Sequence, residues 1–115
     1  MGQNEDRRIP GRVNLMRYRT IIPERCVTEI IDAESAIHPR LMESYEGLEW
    51  RLCRAPETGY QVDDRHYIYR QEGDTRMNYP GLLVLYTFTH DEVRLLAIQV
   101  QVPRVAIPAL PKEIL

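Results

Sequence analysis

A chain of 115 residues, 43% hydrophobic and 28% charged, has the composition of one ordinary globular domain with a single core. Its formal net charge of -2 excludes a broad electrostatic grip on nucleic acid by the whole molecule and leaves only a local basic patch to consider. No apolar run approaches the roughly 20 residues that cross a bilayer. The polar start Met1-Gly2-Gln3-Asn4-Glu5-Asp6-Arg7-Arg8 lacks the apolar segment of a secretory signal, so a cytoplasmic location is expected.

Residues 1–15 are polar, carry Pro10-Gly11 and show no period, which predicts a flexible N-terminal arm. Met16 follows directly, a candidate natural start, and opens a first strand over Met16–Ile22 with β-branched residues. Pro23 suits the first turn of a helix, where its missing N–H would have no partner. Val27, Ile30 and Ile31, with Ala33 and Ile37, then recur at helical spacing. His38-Pro39 breaks this helix and starts a second, again with proline early. Its stripe is Leu41, Tyr45, Leu48 and Leu52; Gly47 weakens it by about 1 kcal/mol relative to alanine, and Ala55-Pro56-Glu57-Thr58-Gly59 closes it. Two helices joined by so short a break predict a helical hairpin with one apolar side.

From Tyr60 the period becomes extended. His66–Arg70 reads as a short strand and residues 71–81 as a polar loop rich in turn formers. A hairpin follows, Leu82–Thr89 out, a turn at His90-Asp91, and Val93–Val100 back. Pro103, Pro108 and Pro111 then forbid a long regular helix, leaving a Pro-rich tail over 103–115. The expected domain spans 16–102. Its fold class is α+β in two layers, with the N-terminal strand and helical hairpin packed on a twisted antiparallel sheet.

The residues that could carry chemistry are few. Cys26 and Cys53 fit neither a metal spacing nor CxxC, and read as small buried hydrophobes. His38, His66 and His90 are scattered, with no HxH or HExxH spacing, so no metal or other cofactor is expected. Asp63-Asp64 and Asp91-Glu92 fall at predicted turns and read as solvent-facing. Trp50 lies off the apolar stripe, either flanking the core or anchoring a partner. His66, Tyr67, Tyr69 and Arg70, joined by Arg104, could form a phosphate-contacting surface with aromatic stacking; an edge strand capped by tyrosines is the alternative.

Leu48-Glu49-Trp50-Arg51-Leu52 leading into Ala55-Pro56-Glu57-Thr58-Gly59, and Val84-Leu85-Tyr86-Thr87-Phe88 leading into Val93-Arg94-Leu95-Leu96-Ala97-Ile98, carry a resemblance. Over residues 16 to about 102 the chain resembles the RelE/ParE superfamily, the toxins of bacterial type II toxin–antitoxin pairs. The resemblance implies a toxin-type protein that binds a macromolecular target and is neutralised by a cognate antitoxin wrapping the helical pair and the sheet face. Its implied targets are the ribosome with its messenger RNA, or DNA gyrase; a homodimer is a further implied partner. An enzyme of this kind would be a ribosome-dependent endoribonuclease, with Arg70, Arg104 and Tyr67 as its catalytic candidates. Family members often carry arginine two residues before Leu85, where this chain has Leu83, and end the fourth strand in Arg or His, where it reads Gln99-Val100-Gln101-Val102. These neutral replacements place binding ahead of cleavage, and a non-toxic binding protein of the same fold is the remaining reading.

Overall fold

The structure is a computed structural model that describes residues 18–102. The N-terminal arm, the first two residues of the expected first strand, the Pro-rich tail and Arg104 lie outside those residues. The described elements are β1 (Thr20–Pro23), α1 (Arg25–Ser35), α2 (Leu41–Arg54), a single 3-10 turn (Pro56–Thr58), β2 (Tyr60–Gln61), β3 (Tyr67–Gln71), β4 (Gly81–Phe88) and β5 (Glu92–Gln101). The strands form one five-stranded sheet in the order β1-β5-β4-β3-β2.

The sheet is mixed, where an antiparallel one was expected. β1 runs parallel to β5, with Ile21 opposite Val93 and Pro23 opposite Leu95, while the other three pairings are antiparallel. The physical reason lies in the connection: parallel neighbours need a long crossover, and everything from α1 to β4 separates these two strands. Pro23 is also not a helical residue. It ends β1, an edge strand, where its missing N–H removes no ladder bond. Glu24 continues the ladder instead, its N–H donating to the Leu95 carbonyl at 2.8 Å, and α1 begins one residue later. Pro39 likewise stands just before α2, with Arg40 at the N-cap.

Val27 and Ile31 of α1 and Leu41, Tyr45, Leu48 and Leu52 of α2 bury their stripes against one face of the sheet. That face is built from Leu82, Val84 and Tyr86 of β4 and from Val93, Leu95 and Ile98 of β5. The alternation along β4 has the strict period of two that a half-covered strand requires. Along β5 it slips by one residue, because the register jumps between Leu85, opposite Ala97, and Tyr86, opposite Leu95. Leu96 is the inserted residue of this bulge. The helical stripe of α1 stops earlier than its sequence suggests: the helix ends at Ser35, Ala33 is exposed, and Ile37 is 66% exposed in the following turn. The cysteines depart from expectation too. Cys26 is exposed, its thiol donating to the Leu96 carbonyl at 3.1 Å, and Cys53 is half-buried. Each lies beside the buried stripe of its helix rather than in it, Cys26 next to Val27 in α1 and Cys53 next to Leu52 in α2.

The two segments that carry the resemblance touch each other. The Tyr86 hydroxyl, at the centre of the sheet, donates to the carbonyl of Pro56 in the turn that closes α2. Gly59 makes room for it: a Cβ there would lie 2.9 Å from the Ile68 carbonyl and 3.0 Å from Tyr86 Cζ, with the Tyr86 hydroxyl closer still. Burial pushes the Tyr86 phenol up to about 12.

Candidate functional site

The helices cover one face of the sheet, and the pairing register identifies what stands on the other. Ile68 lies opposite Leu85 and Leu85 opposite Ala97, so these side chains form one row across the open face. Arg70, Leu83 and Gln99 form the next row. A shallow hollow of about 210 Å³ lies over Ile68, Leu83, Leu85, Ala97 and Gln99. Beyond it, at the end of β3 and β5, opens a cleft of about 560 Å³ bordered by Arg70, Glu72, Asp74, Arg76 and Gln101.

The loop over residues 72–80 gives this cleft its wall. Asp74 and Tyr79 exchange backbone hydrogen bonds of 2.9 Å each way, and the Asp74 carboxylate accepts the N–H groups of Arg76 at 2.9 Å and Met77 at 3.3 Å. Asn78 takes the left-handed conformation (φ 62°) that closes the turn, a conformation asparagine tolerates better than most residues. The loop is clamped to α2 by Tyr79, which donates to Glu43 at 2.8 Å and accepts from Arg40 at 2.7 Å. Arg40 also lies over the Tyr79 ring at 4.2 Å, and its guanidinium donates to the Met77 carbonyl at 3.0 Å. The hydroxyl of Tyr79 and then the guanidinium of Arg40 hold the Glu43 carboxyl below the usual carboxylate range.

Charge in the cleft is divided. Arg70 faces Glu72 at 3.7 Å, a loose exposed pair, and Arg76 has no ion-pair partner among the described residues. Two guanidiniums on one rim can grip a phosphate or a carboxylate, while Glu72, Asp74 and Gln101 can accept or donate to hydroxyls and amides. Further along the open side, Arg94 is already occupied by Glu24 and Glu92, each at 3.1 Å. Among the described residues no group of His, Cys, Asp or Glu is placed to hold a metal ion. No helix described is long and apolar enough to cross a membrane.

The cluster expected from sequence is split by the pleat. Arg70 stands on the open face, whereas Tyr67, opposite Tyr86, and Tyr69, opposite Val84, point to the helical side. Tyr67 packs with its ring centroid 5.7 Å from Tyr86 and 4.9 Å from Phe88, so it does not share the cleft with Arg70. Arg104 lies outside the described residues. His66 closes the turn before β3, its Nδ1 2.8 Å from Asp63, and His38 and His90 sit beside Glu34 and Asp91 away from the cleft. Asp63 is therefore a turn cap: its carboxylate takes the Arg65 and His66 N–H groups at 2.8 and 2.9 Å. Trp50 is 57% exposed, with the Arg54 guanidinium between its ring (3.9 Å) and that of Tyr18 (4.0 Å). Arg76 is the residue that sequence reasoning passed over. The only signal for it is Asp74, two positions before, whose turn-forming side chain fixes the backbone that carries Arg76.

Compared with known proteins, the chain matches no family model, no curated protein and no solved structure.

Proposed function

We propose that this chain is the toxin-type component of a bacterial type II toxin–antitoxin pair with a RelE/ParE-like fold. It acts in the cytoplasm by binding a macromolecular target through its open sheet face, and a cognate antitoxin neutralises it by covering that face. The observation that carries the reading is a sheet surface that no described element covers, apolar along Ile68, Leu85 and Ala97 and bordered by the Arg70–Arg76 cleft. An apolar face that no described element covers is the kind of surface a partner protein binds. Further support comes from the order of elements and from the contact of Tyr86 with Pro56 and Gly59, which joins the two segments carrying the resemblance.

Binding stands ahead of ribonuclease chemistry because of what the open face holds. Leu83 and Gln99 flank Arg70 across the sheet, Arg94 is neutralised by two carboxylates, and Tyr67 is on the other side. Cleavage of RNA needs cations for the phosphate together with an acid–base pair at hydrogen-bonding reach of the ribose hydroxyl and leaving oxygen. The test is tight induction of the full chain in bacteria, with reporters of translation and of DNA damage read in parallel. Growth arrest is expected. Arrest with a DNA-damage response identifies gyrase as the target, arrest with stalled translation identifies the ribosome, and unimpaired growth at confirmed soluble expression overturns the toxin reading.

A further inference from the structure

A separate pocket, about 460 Å³, lies at the opposite end of β3 and β4 from the Arg70–Arg76 cleft, bordered by Asp64, Arg65, Tyr67, Thr87, Phe88 and Thr89. We propose that this pocket binds a phosphate-bearing nucleobase, its ring against Tyr67 and Phe88 and its phosphate on Arg65. The inference stands on this pocket alone and is independent of the toxin reading.

The geometry suits a flat ring. Tyr67 and Phe88 are half-buried, 4.9 Å apart between centroids and inclined at 49°, so together they make an aromatic corner. That corner is rigid. Tyr67 is backed by Tyr86 at 5.7 Å and 27°, within stacking range, and Phe88 is covered by the Arg19 guanidinium, 5.5 Å from its centroid. Arg19 is itself fixed, its Nε donating to the Thr89 carbonyl at 2.8 Å. A planar base gains by stacking on such a surface whatever its sequence identity. The volume also falls within the range of about 300–1,000 Å³ typical of small-molecule sites.

The polar groups suit the rest of a nucleotide. The backbone of Arg65 is held by Asp63, while its guanidinium is exposed and makes no ion pair among the described residues. A guanidinium on a fixed backbone is the usual bidentate partner of a phosphate. The neighbouring Asp64 carboxylate is exposed and offers an acceptor to the exocyclic amine of a base. Apolar rings border one pocket here with a cation and an acceptor that have no ion-pair partner among the described residues, a combination that a lipid tail or a simple anion would not use.

The same chemistry is presented by a free mononucleotide and by a unit of single-stranded RNA. The test titrates the full chain, labelled for amide NMR, with adenosine and uridine monophosphates, and measures anisotropy of a labelled short single-stranded oligoribonucleotide. Amide shifts are expected at Arg65, Tyr67, Thr87 and Phe88. Arg65→Gln and Phe88→Leu should each weaken binding roughly tenfold, while Arg25→Gln, at an exposed arginine of α1 paired with Glu29, leaves mononucleotide binding unchanged. Binding of the oligonucleotide well above the mononucleotide identifies a strand as the ligand, and equal affinities identify the free nucleotide. Arg65 is a surface residue, so its variant remains folded and the test stays decisive if Phe88→Leu does not fold. Absence of shifts with both probes, shifts confined elsewhere, or unaltered binding in Arg65→Gln would overturn the proposal.

Discussion

At the scale of single residues, Gly59 and Tyr86 form a coupled pair whose energetics can be separated by mutation. Gly59 has a φ of -74°, open to any residue, so its constraint is steric rather than conformational. Gly59→Ala would drive a methyl group into the Tyr86 ring and the Ile68 carbonyl, and overpacking of this kind costs roughly 1–3 kcal/mol. Tyr86→Phe leaves the Pro56 carbonyl without its donor, at a cost of about 1–3 kcal/mol. Because the hydroxyl makes the worst of the alanine clash, the double variant should lose less than the two single losses combined. Urea unfolding of the four proteins in the cycle measures this coupling directly, and strict additivity would show that the two sites do not meet. The same phenol links stability to pH. Its folded value, about 12, lies above the ordinary 10.0, so the neutral form is favoured by folding. That contribution is complete below pH 10 and is lost as pH rises from 10 towards 12. Burial shifts Tyr45 in the same direction. Unfolding followed across that window should show stability falling with pH, and the fall should be shallower in Tyr86→Phe.

At the scale of elements, the helices and the long hairpin were legible because each carries a strong period. Leu41, Tyr45, Leu48 and Leu52 are all buried, as their spacing predicts, and Leu48→Ala should therefore cost about 2–5 kcal/mol in urea unfolding. What was not legible depended on contacts between distant segments. Pro23 is compatible with a helix start and with the end of an edge strand, and only the pairing with Leu95 decides between them. The parallel place of β1 beside β5 is likewise a long-range choice. The bulge at Leu96 hides the face assignment of β5, since a one-residue insertion reverses which side chains are covered. Tyr67 and Arg70 are three apart in sequence, which in a strand sends them to opposite faces, and the cluster inferred from composition ignored that parity. The loop beside the cleft offers its own test. With Tyr79→Phe the link to Glu43 disappears, and amide exchange over residues 74–79 should accelerate while the core helices keep their protection. The Asp63 carboxyl, held below its ordinary value chiefly by the Arg65 N–H, makes a comparable prediction for the turn before β3. Its contribution is present above the ordinary aspartate range and lost as pH falls through the depressed value, so that turn should loosen first in acid.

At the scale of the whole molecule, one face of the central strand builds the core and the other stands on the open side of the sheet. Along β4, Leu82, Val84 and Tyr86 are fully buried against the helices, whereas Leu83 and Leu85 lie half-exposed on the open side. Leu85 is the most central of the open-face residues, with Ile68 on one side and Ala97 on the other. A carboxylate placed there remains in contact with water and leaves the helical core untouched. Leu85→Glu should cost only about 1 kcal/mol, the size of a lost cross-strand apolar pair. Val84→Glu, one residue away, would bury an unpaired charge and unfold the domain. If the open face is the recognition surface, Leu85→Glu should abolish growth arrest on induction although the protein accumulates in soluble form with a nearly unchanged urea midpoint. Arg70→Gln combined with Arg76→Gln should weaken the arrest for a different reason, by removing the cations of the adjoining cleft. Arrest by Leu85→Glu at the level of the parent chain would place the recognition surface elsewhere, and the exposed Trp50–Arg54–Tyr18 stack on the helical side would then be the first place to probe.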